Sequence, residues 1–362
     1  MTAKTAWSWK RLFKPITQLT MKNDDHSIKI QEFDILRAFA IIMLMFHHSE
    51  AYGFSLFGIR LEGLTPYFEA ILLGIFFFIS GYFTGRSFQK QNKGGMSFFL
   101  SRMLRIIPPY LLAVFLYIYV LGITLKKFNL LVYLTGTHFI FAPNYAKPVI
   151  TLWYIGAIIL FYLIFGFMLA NLQSTKALII GSTLVFAATY ALHQWTGLLD
   201  ERFYKYFIVF LAGILLVRLP YLSSWLSGEQ VLPKFFFAAL GLFAFSQVLA
   251  FSSMSPLYIL GTVFFITSWV VLLFSLAAKI KSQLVLKLAE LISYASFFVY
   301  LIHRPLWAWL VGVFSITNWQ TQVLFKMIPA SIVVFILSYY LQFGYDRLLA
   351  VVRRNGQIAS KI

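Results

Sequence analysis

Long apolar runs, separated by short polar or basic stretches, recur from about residue 34 almost to the end of the chain. Each approaches the roughly 20 residues that an α-helix needs to cross a bilayer. Ten spans are predicted, near 34–57, 67–88, 103–125, 149–171, 175–193, 205–219, 234–252, 256–278, 288–314 and 321–346. The sixth is short and is expected to be tilted or broken. The apolar stretch 128–142, FNLLVYLTGTHFIFA, is too short to span comfortably and suits a re-entrant or interfacial segment. No internal repeat or second soluble domain interrupts the series. The fold class is therefore all-α: a polytopic integral membrane protein, a bundle of about ten transmembrane helices.

Composition sharpens this picture. Hydrophobic residues make up 60% of the 362 and charged residues only 12%, more apolar surface than one soluble core of ordinary size can bury. The net charge of +18 would suggest nucleic acid in a soluble protein, but here the basic residues sit between the apolar runs. With the N-terminus in the cytoplasm, 21 of the 30 Lys and Arg residues fall on the inner side, which places both termini there. No nucleic-acid role is assigned. There is no cysteine, hence no thiolate nucleophile and no cysteine metal site. The expected organisation is a basic cytoplasmic tail (1–32), a transmembrane domain (33–350) and a second cytoplasmic tail (351–362). Within the first tail, KTAWSWKRLFK (Lys4 to Lys14) reads either as a short surface helix or as an unordered basic segment.

The first span is the unusual one. FDILRAFAIIMLMFHHSE, Phe33 to Glu50, carries Asp34, Arg37, His47, His48 and Glu50. Ionisable groups inside a span are costly and tend to mark function. On a helix Arg37 and His48 differ by only about 20° around the axis and lie roughly 16 Å apart along it. Asp34 falls within about 40° of His48, whereas His47 is turned about 100° away, so one cavity is not expected to use both histidines equally. The blander alternative for Asp34 and Arg37 is that they pair with each other or snorkel to the inner surface. His47 and Glu50 have a ligand-like spacing but no partner cluster, so no metal is expected. In the ninth span His303 precedes Arg304 and Pro305 and should lie at nearly the depth of His48. It either bonds a carbonyl freed by the proline or partners His48. His138 and His193 read as solvated, and Ser80–Gly81 as a close-packing pair.

Several stretches together resemble the acyltransferase-3 family of integral-membrane acyltransferases. FDILRAFAIIMLMFHH is similar to that family's first helix, with an arginine, ten residues and a histidine: Arg37 and His48. GIFFFISGYFTGRSF (Gly74 to Phe88) resembles its second helix. SRMLRIIPPY (Ser101 to Tyr110) resembles its Arg-x-x-Arg motif followed by proline, which falls on Arg102 and Arg105. LWYIG (Leu152 to Gly156) and SYASFFVYLIHRPLW (Ser293 to Trp307) resemble a later aromatic motif and a late helix ending in His and Pro. The matches run in family order over nearly the whole chain. A Glu that often follows the aromatic motif is missing near Trp153, and the chain is expected to be the stand-alone form, without the fused extracytoplasmic hydrolase-like domain.

The resemblance implies transfer of an acyl group, commonly acetyl, from cytoplasmic acyl-CoA to a hydroxyl of a cell-envelope glycan or lipid-linked sugar. It implies a multi-pass protein among the lipids of a bacterial plasma membrane, with acyl-CoA as donor substrate and no permanently bound cofactor. Arg37, Arg102 and Arg105 would hold the CoA phosphates, since guanidinium offers a fixed charge and fork-shaped donors. His48 would act as general base, because imidazole titrates near neutrality, with His303 and Asp34 assisting. The competing class is an exporter or flippase of polysaccharide or lipid-linked sugar. Transporters often show two repeated halves with broken helices, and no such repeat is found.

Overall fold

The computed structural model describes residues 30–56, 59–90, 94–149, 151–228 and 230–359. The surface-helix alternative for Lys4 to Lys14 lies outside the described residues. Regular structure is helical, apart from a two-residue antiparallel ladder that pairs Ser55 with Arg60 and Leu56 with Ile59. In chain order the helices are α1 (Ile30–His48), α2 (Thr65–Lys90), α3 (Gly95–Val120), α4 (Lys127–Leu134), α5 (His138–Phe141), α6 (Trp153–Asn171) and α7 (Thr175–Thr196). They continue with α8 (Arg202–Arg218), α9 (Pro220–Ser227), α10 (Val231–Val248), α11 (Pro256–Ala278) and α12 (Gln283–Val313). The last are α13 (Trp319–Phe325), a π-helical turn (Lys326–Ala330) and α14 (Ser331–Ala359). The fold is an all-α polytopic membrane architecture: eight of the described helices are long and apolar enough to cross a bilayer, and the bent pair α8–α9 makes a ninth. α1 stands apart because Glu32, Asp34 and Arg37 fall within its 19 residues.

The helix ends differ from the sequence expectation in informative places. The first span was expected to run to 57, with His48 well inside it. Instead α1 stops at His48. The Ser49 hydroxyl donates back to the Phe46 carbonyl (2.8 Å), and Glu50 takes a left-handed conformation (φ 70°), which turns the chain into the one-turn helix Ala51–Gly53. His48 therefore ends a helix and faces a turn, where a ligand can reach it. The stretch 128–142 becomes two short helices, α4 and α5, neither able to cross. The short sixth span, α8, bends by 100° into α9. Pro220 at the first position of α9 has no N–H to lose there. The buried Lys234 ammonium closes the far end of α9, donating to the carbonyls of Leu226 (2.8 Å) and Gly228 (2.6 Å) and to Ser275 Oγ (2.7 Å).

Small residues set the tightest contacts. A Cβ on Gly81 would run into the Phe210 carbonyl oxygen, and one on Gly213 into the Phe78 carbonyl oxygen. α2 and α8 thus meet backbone to backbone, the close approach that drives helix association where lipid supplies no hydrophobic force. α1 packs along both α2 and α12. Buried Phe33 sits against Tyr82 (centroids 4.4 Å) and Phe274 (5.1 Å), fixing the start of α1. α12 passes unbroken through Pro305 and is held to α14 by Tyr294, whose hydroxyl donates to Asp346 (2.8 Å).

Candidate active site

α1 and α12 lie side by side and bring two sequence-distant histidines together. His48 Nδ1 is 2.8 Å from His303 Nε2, and the rings are nearly parallel (6°) with centroids 5.0 Å apart. His303 is fully buried, and its Nδ1 lies 3.0 Å from the Val299 carbonyl and 2.9 Å from that of Tyr300. Carbonyls only accept, so Nδ1 of His303 carries the proton and Nε2 presents its lone pair. His48 Nδ1 must then be the donor, which leaves His48 Nε2 unprotonated. This assignment follows from the hydrogen-bond pattern. His303 thus partners His48, whose tautomer its Nε2 fixes, while its Nδ1 serves the Val299 and Tyr300 carbonyls one turn back rather than the Leu301 carbonyl that Pro305 frees.

The free face of His48 opens on a cavity of about 250 Å³. That is below the roughly 300–1,000 Å³ of drug-sized ligand sites, so it suits one reacting group rather than a whole substrate. Segments far apart along the chain contribute polar groups to it. His47 and His48 come from the end of α1, Glu69 from α2 and Thr151 from the turn before α6. Asp200 and Arg202 flank the start of α8, and Arg304 comes from α12. Both histidines line the cavity, against the expectation that one would be turned away. Only His48 bonds His303; the His47 ring lies near that of Tyr52 (5.6 Å). Arg202 Nε donates to Asp200 Oδ1 (2.8 Å), and its guanidinium lies 4.0 Å above the Trp153 ring. Tyr300 donates its hydroxyl to the Thr151 carbonyl.

About 16 Å down α1 from His48 the surroundings change. The Arg37 guanidinium lies 5.0 Å above the Phe83 ring, and no carboxylate comes within 4.0 Å among the described residues. The pairing considered with Asp34 is not made: Asp34 instead accepts from Ser293 Oγ of α12 (2.7 Å). Arg102 lies over Phe98 (5.1 Å) and Tyr162 (5.5 Å), and both Arg102 and Tyr162 are close enough to Arg37 to act on its charge. A cation–π contact contributes about 0.5–2 kcal/mol, less than the several kcal/mol that a charge loses in a low-dielectric wall. Two arginines held this way suit an anion brought by a ligand. Arg105 is exposed and faces the Tyr345 side of α14 rather than this pair.

The expected site residues therefore divide. His48 and His303 meet, and Arg37 and Arg102 share one neighbourhood. Asp34 lies about 21 Å along α1 from His48, so its expected assistance there cannot be direct. His138 is not solvated either. It is buried, within 3.0 Å of the Leu152 carbonyl and 3.2 Å of the Tyr110 hydroxyl, and burial pushes its pKa down to about 4. His193 bonds the Leu199 carbonyl (2.8 Å). Glu69, Thr151, Asp200, Arg202 and Arg304 were missed as site residues. Only Arg304 carried a local signal, directly after His303; the others join the cavity through long-range packing. The family model described as an acyltransferase domain matches residues 30–343. No curated protein and no solved structure matches the chain significantly.

Proposed function

Because the chain belongs to the acyltransferase-3 family and is thus a membrane acyltransferase, we propose that it moves an acyl group, most simply acetyl, from cytoplasmic acyl-CoA to a hydroxyl of a cell-envelope glycan or lipid-linked sugar. The observation that carries this reading is the His48–His303 bond, which leaves an unprotonated nitrogen on an imidazole that lines the cavity. A hydroxyl entering the cavity loses its proton to His48 Nε2 as its oxygen attacks the thioester carbonyl. His303 is a positioning residue: it touches His48, holds its tautomer and does not line the cavity. Arg37 and Arg102 hold the CoA phosphates at the other end of α1, with Arg105 at the entrance. The roughly 16 Å between Arg37 and His48 is of the order of an extended pantetheine arm. In this reading the membrane is a bacterial plasma membrane, with both termini cytoplasmic and the His48 cavity on the opposite side.

The test joins two measurements. Purified protein in detergent is given acetyl-CoA and an envelope extract, and thiol release is followed. Envelope glycans from cells with and without the gene are compared by mass. The expected result is thiol release and an acyl-mass difference on the glycan. Absence of both would overturn the reading.

A further inference from the structure

The cavity beside His48 holds one guanidinium that makes no close ion pair. Arg304 lines the cavity, its Nε is buried with no hydrogen-bond partner, and no carboxylate lies within 4.0 Å among the described residues. The other cavity guanidinium, Arg202, is already satisfied by Asp200 and Trp153. Glu69 acts on His47 and on Lys205 and Arg202 of α8, and is not among the charges acting on His48. Arg304 acts on both His48 and His303. A second donor belongs to the cavity wall: the Thr151 hydroxyl, on a residue that is 4% exposed, with the Tyr117 hydroxyl of α3 as its side-chain neighbour and no carbonyl or charged group bonded to it. Thr151 has φ 85°, a region that β-branched residues avoid, and Tyr300 holds its carbonyl there. Strain of this kind persists where the surroundings enforce it, commonly at functional sites.

A buried donor without a partner is costly until an anion or another acceptor arrives. The reaction at His48 creates one. We propose that Arg304 is a further catalytic residue, which with the Thr151 hydroxyl holds the oxyanion of the tetrahedral intermediate. This rests on the acyl-transfer reading above. The acceptor O–H proton passes to His48 Nε2, and the oxygen forms a bond to the thioester carbon. The C=O π pair moves onto the carbonyl oxygen, which takes its hydrogen bonds from Arg304 and Thr151. The pair then returns, the C–S bond breaks, and the thiolate takes the proton from His48. The products are the ester and free CoA thiol. Because Arg304 follows His303 on the same rigid helix, the oxyanion site and the base are fixed relative to one another.

Purified full-length protein, acetyl-CoA and two acceptors, water alone and an envelope extract, separate this role from others. Arg304→Gln is expected to lower kcat for thiol release by about 10²–10³-fold with either acceptor, with acetyl-CoA affinity unchanged within about threefold. Arg304→Lys keeps the charge, loses the fork and recovers part of the rate. Thr151→Val gives a smaller loss, about tenfold, again with both acceptors. It carries the test should Arg304→Gln fail to reach the membrane. If Arg304→Gln raises only KM for the extract and leaves the rate with water intact, Arg304 binds an anionic acceptor and the proposal is wrong. Loss of acetyl-CoA affinity would likewise overturn it in favour of a structural role. A parent protein that turns over no acetyl-CoA, or an active His48→Ala, defeats the acyl-transfer reading itself. An active parent, an inactive His48→Ala and a normal Arg304→Gln defeat the oxyanion role alone.

Discussion

The two ends of α1 hold their ionisable groups by different means. At the Arg37 end the arginines rest on aromatic rings, with no carboxylate within 4.0 Å among the described residues: Arg37 on Phe83, Arg102 on Phe98 and Tyr162. At the His48 end the two histidines are bonded in a chain, from the Val299 and Tyr300 carbonyls through His303 to His48, with Asp200 locked to Arg202 nearby. An aromatic cradle fixes a cation loosely and leaves its donors for a ligand. A hydrogen-bond chain fixes a tautomer and leaves one lone pair for chemistry. In the proposed function the first end binds and the second moves a proton.

The largest expected contrast is all-or-none and concerns sidedness. The chain has no cysteine, so single cysteines can be introduced without background. In intact cells Ser87→Cys and Ser282→Cys should be shielded from an impermeant thiol reagent, and Ser315→Cys should react. Labelling at position 282 would reverse the assignment of the two ends. Next in size is the base. His48→Ala should lower turnover by about 10²–10⁴-fold, while His47→Ala, which lines the same cavity without the His303 bond, should stay within a few-fold. Equal losses in a steady-state assay would remove the distinction between them.

At the binding end, Arg102→Ala should weaken acetyl-CoA affinity by about 1.5–3 kcal/mol, the magnitude of a lost charge-assisted contact. Arg102→Lys should recover only part. Isothermal titration showing parental affinity for Arg102→Ala would make this arginine a topology signal rather than a ligand. The smallest effect belongs to Asp34→Asn. The amide oxygen can still accept from Ser293, so turnover should change less than about threefold. A loss as large as that of His48→Ala would mean that Asp34 acts on the chemistry from about 21 Å away.

How legible this was depended on distance along the chain. Spans showed as apolar runs because the bilayer demands about 20 such residues together. Counting helical rise put His48 and His303 at a similar depth, and their meeting came from α1 packing beside α12. Where local chemistry decided an end, the pattern misled. The apolar letters after His48 suggested a continuing helix, yet Glu50 adopts a left-handed turn there. The third span begins at Gly95, earlier than expected, because the mixed stretch GMSFFLSR, ending in Arg102, forms its first turns. His138 read as a surface residue, since nothing in FNLLVYLTGTHFIFA says that α5 tucks its histidine under Tyr110 and Tyr133. Asp200, Arg202 and Glu69 belong to the cavity only through the packing of α2 against α8, which no single stretch encodes.

The central claim is that binding and chemistry are separated along one helix, and a double-mutant cycle on Arg37 and His48 tests it most directly. Acetyl-CoA affinity and turnover at saturating donor would be measured for the parent, Arg37→Ala, His48→Ala and the double variant, each confirmed to be folded in the membrane. Sites roughly 16 Å apart without shared partners should add to within about 0.5 kcal/mol. The account predicts that Arg37→Ala weakens affinity by the same factor in both backgrounds, and that His48→Ala slows turnover without changing affinity. Loss of affinity in His48→Ala, or a turnover loss in Arg37→Ala that saturating donor does not restore, would contradict it.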